Sequence, residues 1–160
     1  MTQSSEPFFE ALRALQPDVD IVVLPAEPPV DLPVADRGAA VAAATATTRA
    51  LDAMLAESGT DQLPRSGLER WDRRQDDVHV HVHVNRARVD HADSYTATES
   101  LLRIGDVLDG GGWQPRPVDS PTPWLVAISP TGLRADVAVE RSQLVVTVTS
   151  APLRLEDDPA

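Results

Sequence analysis

The stretch Val78-His79-Val80-His81-Val82-His83-Val84 alternates valine with histidine and decides how this chain is expected to fold. Side chains on a β-strand point to opposite faces in turn, so an alternation with a period of two predicts a strand. The four valines then share an apolar face, and the three histidines share a polar one. We expect the valines to lie beneath the helices and the histidines to face solvent.

The segments around this stretch predict an α+β domain. Residues 36–58, followed by Gly59, have the pattern of one long helix, and the apolar positions within 94–108 predict a second helix. After Trp113, alternating apolar residues and short turns predict a meander of antiparallel strands. We predict a two-layer α+β fold in which an antiparallel sheet of four or five strands packs two main helices on one face.

The same pattern predicts which side chains are buried. Pro115 and Pro117 predict an edge strand over 113–118, and the polar segment 60–77 predicts a loop. The expected buried side of the first helix comprises Val41, Ala44, Leu51, Met54 and Leu55. The expected sheet residues beneath the helices are Val78, Val80, Val82, Val84, Val137, Val139, Val146 and Val148.

The chain is expected to contain three parts. Residues 1–35 are predicted to hold an N-terminal helix, a short strand at 21–24 and a proline-rich connector. Residues 36–152 form the predicted α+β domain, and residues 153–160 form an acidic tail.

Composition excludes several classes of protein. The chain has no cysteine, so disulfides, thiol catalysis and cysteine-ligated metal centres are excluded. Its formal net charge of -11 argues against binding to nucleic acid or to an anionic membrane surface. Residues 1–15 lack a basic segment followed by an apolar one, and no apolar run has the length of a membrane span. We therefore expect a cytoplasmic location without membrane insertion.

The histidines form the only cluster of potential metal ligands in the sequence. His79 and His81 make a His-x-His pair on one strand face, where two imidazoles can converge on zinc or nickel. His83 and His91 are auxiliary candidates, and Asp90 or Asp93 is a possible third ligand. The alternative is a solvent-facing strand that carries histidines and binds no metal.

Other motifs favour structural roles. The run Gly110-Gly111-Gly112 follows a helix and precedes a strand, so it predicts helix termination and not a phosphate-binding loop. Trp113 and Trp124 flank the predicted edge strand. They are interpreted as core anchors at the starts of strands, with an aromatic-lined contact surface as the alternative.

The sequence therefore contains a well-patterned core but no recognisable nucleophile, acid/base pair or nucleotide-binding loop. This pattern favours a non-enzymatic binding or adaptor module that acts through contacts with another protein of unknown identity. The alternative hypothesis is a divalent transition-metal-binding protein that uses the His-x-His strand.

A resemblance to a group of small actinobacterial proteins covers residues 94–152. The shared pattern is a helix that ends in Gly-Trp, here Leu108-Asp109-Gly110-Gly111-Gly112-Trp113. The meander over 125–148 and the segment Thr149-Ser150-Ala151-Pro152 complete it. Many proteins that this segment resembles are lipoproteins or secreted proteins. The resemblance implies an α+β fold and assigns no activity, cofactor or site residue.

Overall fold

The structure is a computed structural model that describes residues 32, 34–57, 65–73 and 79–155. The helix and strand predicted within residues 1–31 lie outside the described residues, as does Val78. Residues 156–160 of the predicted acidic tail also lie outside them. The expectations for these residues, and for the division of the chain into three parts, stay predictions.

The described residues form two helices and a mainly antiparallel sheet, which confirms the predicted α+β class with two main helices. In chain order the elements are β1 (Val34–Ala35), α1 (Arg37–Glu57), β2 (Arg65–Arg73), β3 (His79–Asp90), α2 (Ser94–Gly110), β4 (Gln114–Pro117), β5 (Trp124–Ile128), β6 (Arg134–Glu140), β7 (Gln143–Thr149) and β8 (Arg154–Leu155).

The main sheet has six strands in the order β2-β3-β7-β6-β5-β4, and every neighbouring pair is antiparallel. The prediction of four or five strands was wrong because β2 lies within the segment predicted to be a loop. This strand contains five charged residues and so lacks an alternation of apolar residues. It lies at the edge of the sheet and pairs only with β3, a position where polar residues are tolerated. A separate parallel pair joins β1 to β8.

The pairing of β3 with β7 defines the two faces of the sheet. Residues directly opposite each other on paired strands share a face, and Ala87 stands opposite Val146. Both belong to the buried cluster that the helices cover, together with Val89 and Leu144. We call this side of the sheet the helix face and the opposite side the free face.

The expected orientation of the histidine stretch was wrong. The ladder between β2 and β3 is unbroken, so His81, His83 and Asn85 alternate onto the same face as Ala87, which is the helix face. Val80, Val82 and Val84 therefore lie on the free face. Val80 and Val82 are nevertheless buried. The alternation of valine and histidine shows that the strand has two different faces, but it does not show which face the helices cover.

The remaining predicted sheet positions are confirmed. Val137 and Val139 of β6 and Val146 and Val148 of β7 are buried in the core cluster beneath the helices. In α1, Leu51, Met54 and Leu55 are buried in the same cluster. The prediction for Val41 was wrong, because its side chain is 62% exposed near the start of α1.

Local hydrogen bonds begin and end α2. Asp93 precedes the helix, and its Oδ1 accepts a hydrogen bond from the Thr96 backbone amide at 2.7 Å and one from the Thr96 hydroxyl at 2.9 Å. These hydrogen bonds, with a smaller effect from the charge of His91, hold the pKa of the Asp93 carboxyl below its ordinary value. At the other end, the amides of Gly111 and Gly112 donate to carbonyls of the last turn. Gly112 has a positive φ of 76°, so the glycine run ends the helix as predicted.

Truncation of Ile104 is expected to destabilise the fold strongly. Its side chain has no exposed surface, and Ile104→Ala should lower the free energy of unfolding by about 2–5 kcal/mol. Leu102 lies on the same helix but is 61% exposed, so Leu102→Ala should change stability by less than about 0.5 kcal/mol. Urea unfolding of both variants measures the difference. Equal losses would contradict the placement of α2 over the sheet.

Replacement of Asp93 by asparagine is expected to reduce the loss of folding stability at low pH. The pKa of the Asp93 carboxyl is lower in the folded protein, so its stabilising contribution is present above the unfolded value of about 3.9. That contribution is lost as the pH falls through the lowered folded value. Asparagine keeps the capping oxygen but does not titrate. Thermal unfolding against pH should therefore show a smaller acid loss in Asp93→Asn, and an identical profile would contradict this role.

Candidate functional site

The structure separates the histidines that were predicted to bind metal. His81 is buried on the helix face with 2% of its surface exposed, and His83 is half-buried on that face. His91 follows β3, and its backbone amide donates to the Ser142 carbonyl at 2.9 Å. Eight residues of extended chain place His91 about 26 Å from His83, so the structure does not bring these two side chains together. The side chain of His79 is outside the described part of the chain.

The metal-binding hypothesis stays a prediction. Among the described residues, no group of three or more histidine, cysteine or carboxylate side chains has the arrangement to hold a metal ion. His81 and His83 alternate onto one face, with Cα atoms about 6.6 Å apart. They are the pair that the structure presents for such a site.

A buried amide lies next to the histidines and joins the sheet to α1. Asn85 is 6% exposed, and its Nδ2 donates hydrogen bonds to Thr47 Oγ1 at 2.9 Å and to Thr48 Oγ1 at 3.0 Å. The two threonine hydroxyls donate in turn to the Ala44 carbonyl, each at 2.9 Å. We call Asn85, Thr47 and Thr48 the amide clamp. Sequence reasoning missed it, although a lone asparagine in an otherwise regular strand is a signal for such a contact.

Replacement of Asn85 by aspartate removes the amide protons of the clamp and is expected to destabilise the fold. Asn85→Asp keeps the shape of the side chain but removes both donors and places a carboxylate in a buried site. The free energy of unfolding should fall by at least about 2 kcal/mol. Gln114→Glu makes the same chemical change at an exposed position of β4 and should have an effect below about 0.5 kcal/mol. Chemical denaturation compares the two, and equal stability would contradict the buried hydrogen bonds.

The free face of the sheet carries a groove of about 340 Å³ that crosses the strands. Its floor contains the short side chains of Val145, Ala138 and Thr147, which lie on neighbouring strands β7 and β6. Arg86 of β3 lies towards one end and Trp124 of β5 towards the other. Val145 is buried at 3% exposure, whereas Ala138 and Thr147 are partly exposed, so these two residues are the accessible part of the floor.

The free face also carries more arginine than carboxylate. Among the described side chains it has five arginines, namely Arg70, Arg86, Arg88, Arg116 and Arg134. It has three carboxylates, namely Asp90, Asp136 and Glu140. This balance is opposite in sign to that of the whole chain, which has a net charge of -11.

Two of the three carboxylates already have partners. Asp136 accepts hydrogen bonds from the Arg134 guanidinium at 2.8 and 3.0 Å, which raises the pKa of Arg134. Asp90 accepts a hydrogen bond from the Gln143 side chain at 2.7 Å. Arg86 and Arg88 form no ion pair with a carboxylate of the described residues. Arg86 lines one end of the groove, and Arg88 stands two residues away on the same face of β3.

The two tryptophans that flank β4 have different environments. Trp113 is partly buried and packs against the core cluster, as the core-anchor interpretation predicts. Trp124 lies on the free face with 37% of its surface exposed and lines the groove. The alternative interpretation of an aromatic-lined contact surface therefore fits Trp124 alone.

Comparison of the chain with protein-family models, curated proteins and solved structures gave no match. The resemblance over residues 94–152 thus stays a prediction. Neither described helix has both the length and the apolar character that crossing a membrane requires.

Proposed function

We propose that this protein is a non-enzymatic binding or adaptor module that contacts another protein through the groove on the free face. The observation that carries the proposal is the composition of that groove. A floor of short side chains lies between Arg86 at one end and the exposed Trp124 at the other. Asp136 and Glu140 also line the groove, and Asp136 is already paired with Arg134. Exposed aromatic and arginine side chains are the types enriched at the centres of protein interfaces.

The geometry supports a partner segment with two features. An apolar side chain would lie on Ala138 and Thr147 beside Trp124, and an acidic side chain would lie near Arg86. Burial of the apolar side chain contributes about 1.5–3 kcal/mol, whereas an exposed ion pair contributes about 0.2–1 kcal/mol. The apolar contact therefore provides most of the affinity. The arginines provide attraction at a distance and discrimination against basic partners.

Photo-crosslinking in the native host tests this surface. A photoreactive amino acid at Thr122, an exposed residue that lines the groove, is expected to form a crosslink with one specific protein. The same amino acid at Leu102, which is exposed on α2, is the matched control and should not capture that protein. Crosslinking of the same protein at both positions would contradict a specific contact through the groove.

Two pairs of variants test which side chains make the contact. Trp124→Ala should reduce the crosslink by about tenfold or more, and Arg86→Glu with Arg88→Glu should reduce it further. The controls are Tyr95→Ala, an exposed aromatic residue on α2, and Arg103→Glu, an exposed arginine on that helix. Equal losses in the control variants would overturn the proposal. A crosslink to a second copy of this chain would replace the adaptor role by self-association.

A further inference from the structure

We infer that a second binding site lies on the helix face, between α1 and the strands β2 and β3, and that it takes a small organic carboxylate. A cleft of about 570 Å³ opens there, which is within the range of small-molecule sites. It lies on the other side of the sheet from the groove, so the inference does not depend on the proposed adaptor role.

The absence of a side chain at Gly67 keeps this cleft open. A Cβ atom at this position would lie 3.1 Å from Asn85 Oδ1 and 3.6 Å from His83 Nε2. The first distance is shorter than most real contacts of a Cβ atom, so a larger residue would press on the amide and fill the space. Both polar atoms therefore face the volume next to Gly67.

His83 supplies a hydrogen-bond donor to the cleft. Its Nδ1 is buried and has no hydrogen-bond partner in the described part of the structure. A proton on that nitrogen would be a buried donor without an acceptor, which is costly. Nε2 is the ring nitrogen nearer to Gly67, and an N–H at that atom can donate to a ligand in the cleft.

The other polar groups of the cleft divide into one cation and several acceptors. Arg49 is exposed and pairs with no carboxylate among the described residues. Thr45 Oγ1 donates its proton to the Val41 carbonyl at 2.9 Å, and Thr48 Oγ1 also donates within the helix. The Thr45 hydroxyl oxygen is thus left as an acceptor, whereas the Thr48 oxygen already accepts from Asn85 Nδ2. No carboxylate is among the described side chains that line the cleft.

The polar and apolar groups of the cleft favour a small carboxylate as the ligand. A carboxylate pairs with the Arg49 guanidinium and accepts from His83, while an apolar part contacts Val41 and Ala44. A single cation suits a carboxylate better than a phosphate, which is usually held by several cations or by converging backbone amides.

Titration of the full-length protein, followed by NMR of its backbone amides, tests the inference with defined probes. Benzoate and lactate are compared with benzamide and lactamide, which have similar shapes but no charge, and with inorganic phosphate. We expect the carboxylates to shift the amide signals of residues 41–49, 67 and 83. The amides and phosphate should bind at least about tenfold more weakly, which corresponds to about 1.4 kcal/mol. Equal binding of phosphate, or shifts outside the cleft, would overturn the inference.

Matched variants locate the site. Arg49→Gln should weaken benzoate binding by about tenfold or more, whereas Arg103→Gln on α2 should leave it unchanged. Gly67→Ala should block the cleft. Gly110→Ala is its control, because a Cβ atom at Gly110 meets nothing within 4 Å. Thermal unfolding of each variant verifies that it is folded, and Arg49→Gln, at an exposed position, provides a test that does not depend on Gly67. Unchanged binding in folded Arg49→Gln would overturn the inference.

Discussion

The register between β3 and β7 is the constraint on which the rest of the structure depends. It places Ala87 opposite Val146 and Val89 opposite Leu144, and these residues make the floor on which both helices pack. A slip of one residue would turn the charged side chains of Arg86 and Arg88 into that core. Burial of unpaired charges is so unfavourable that the core specifies this register strongly. The same register divides the side chains of β3 between the two candidate sites. His83 and Asn85 lie at the cleft beneath α1, and Arg86 lies at the groove on the free face.

Much of the fold was predictable because its signals are local. A meander of antiparallel strands was expected after Trp113, and two of its strands occur at Trp124–Ile128 and Arg134–Glu140. Alternating apolar residues joined by short turns specify such strands without reference to distant parts of the chain. The orientation of β3 was not predictable in this way. Its apolar residues have even numbers up to Val84 and odd numbers from Ala87 onwards, so the alternation changes phase within one unbroken strand. Only pairing with β7, more than fifty residues later, decides which phase lies beneath the helices.

The candidate sites were less predictable than the fold. The histidine stretch attracted a metal-binding hypothesis because its spacing is visible in seven consecutive residues. The groove combines residues from β3, β5, β6 and β7, and only the order of the strands brings them together. The cleft depends on Arg49, Gly67 and His83, which belong to three separate elements. Trp124 was recognised from the sequence as a possible contact residue, but its neighbours were not, since no local pattern relates them.

The prolines of β4 determine how another protein can approach this sheet. Val118, just after the strand, donates its amide proton to the Trp124 carbonyl, so the even-numbered positions here face β5. Pro115 and Pro117 therefore occupy the outward positions, where a proline has no amide proton to offer. An extended chain that arrived at this border would find carbonyl oxygens but no donors, and it could not continue the sheet from one molecule into the next. Intermolecular sheets and the fibrils that grow from them are thus blocked at β4, and a partner is directed away from the border and onto the broad surface of the strands.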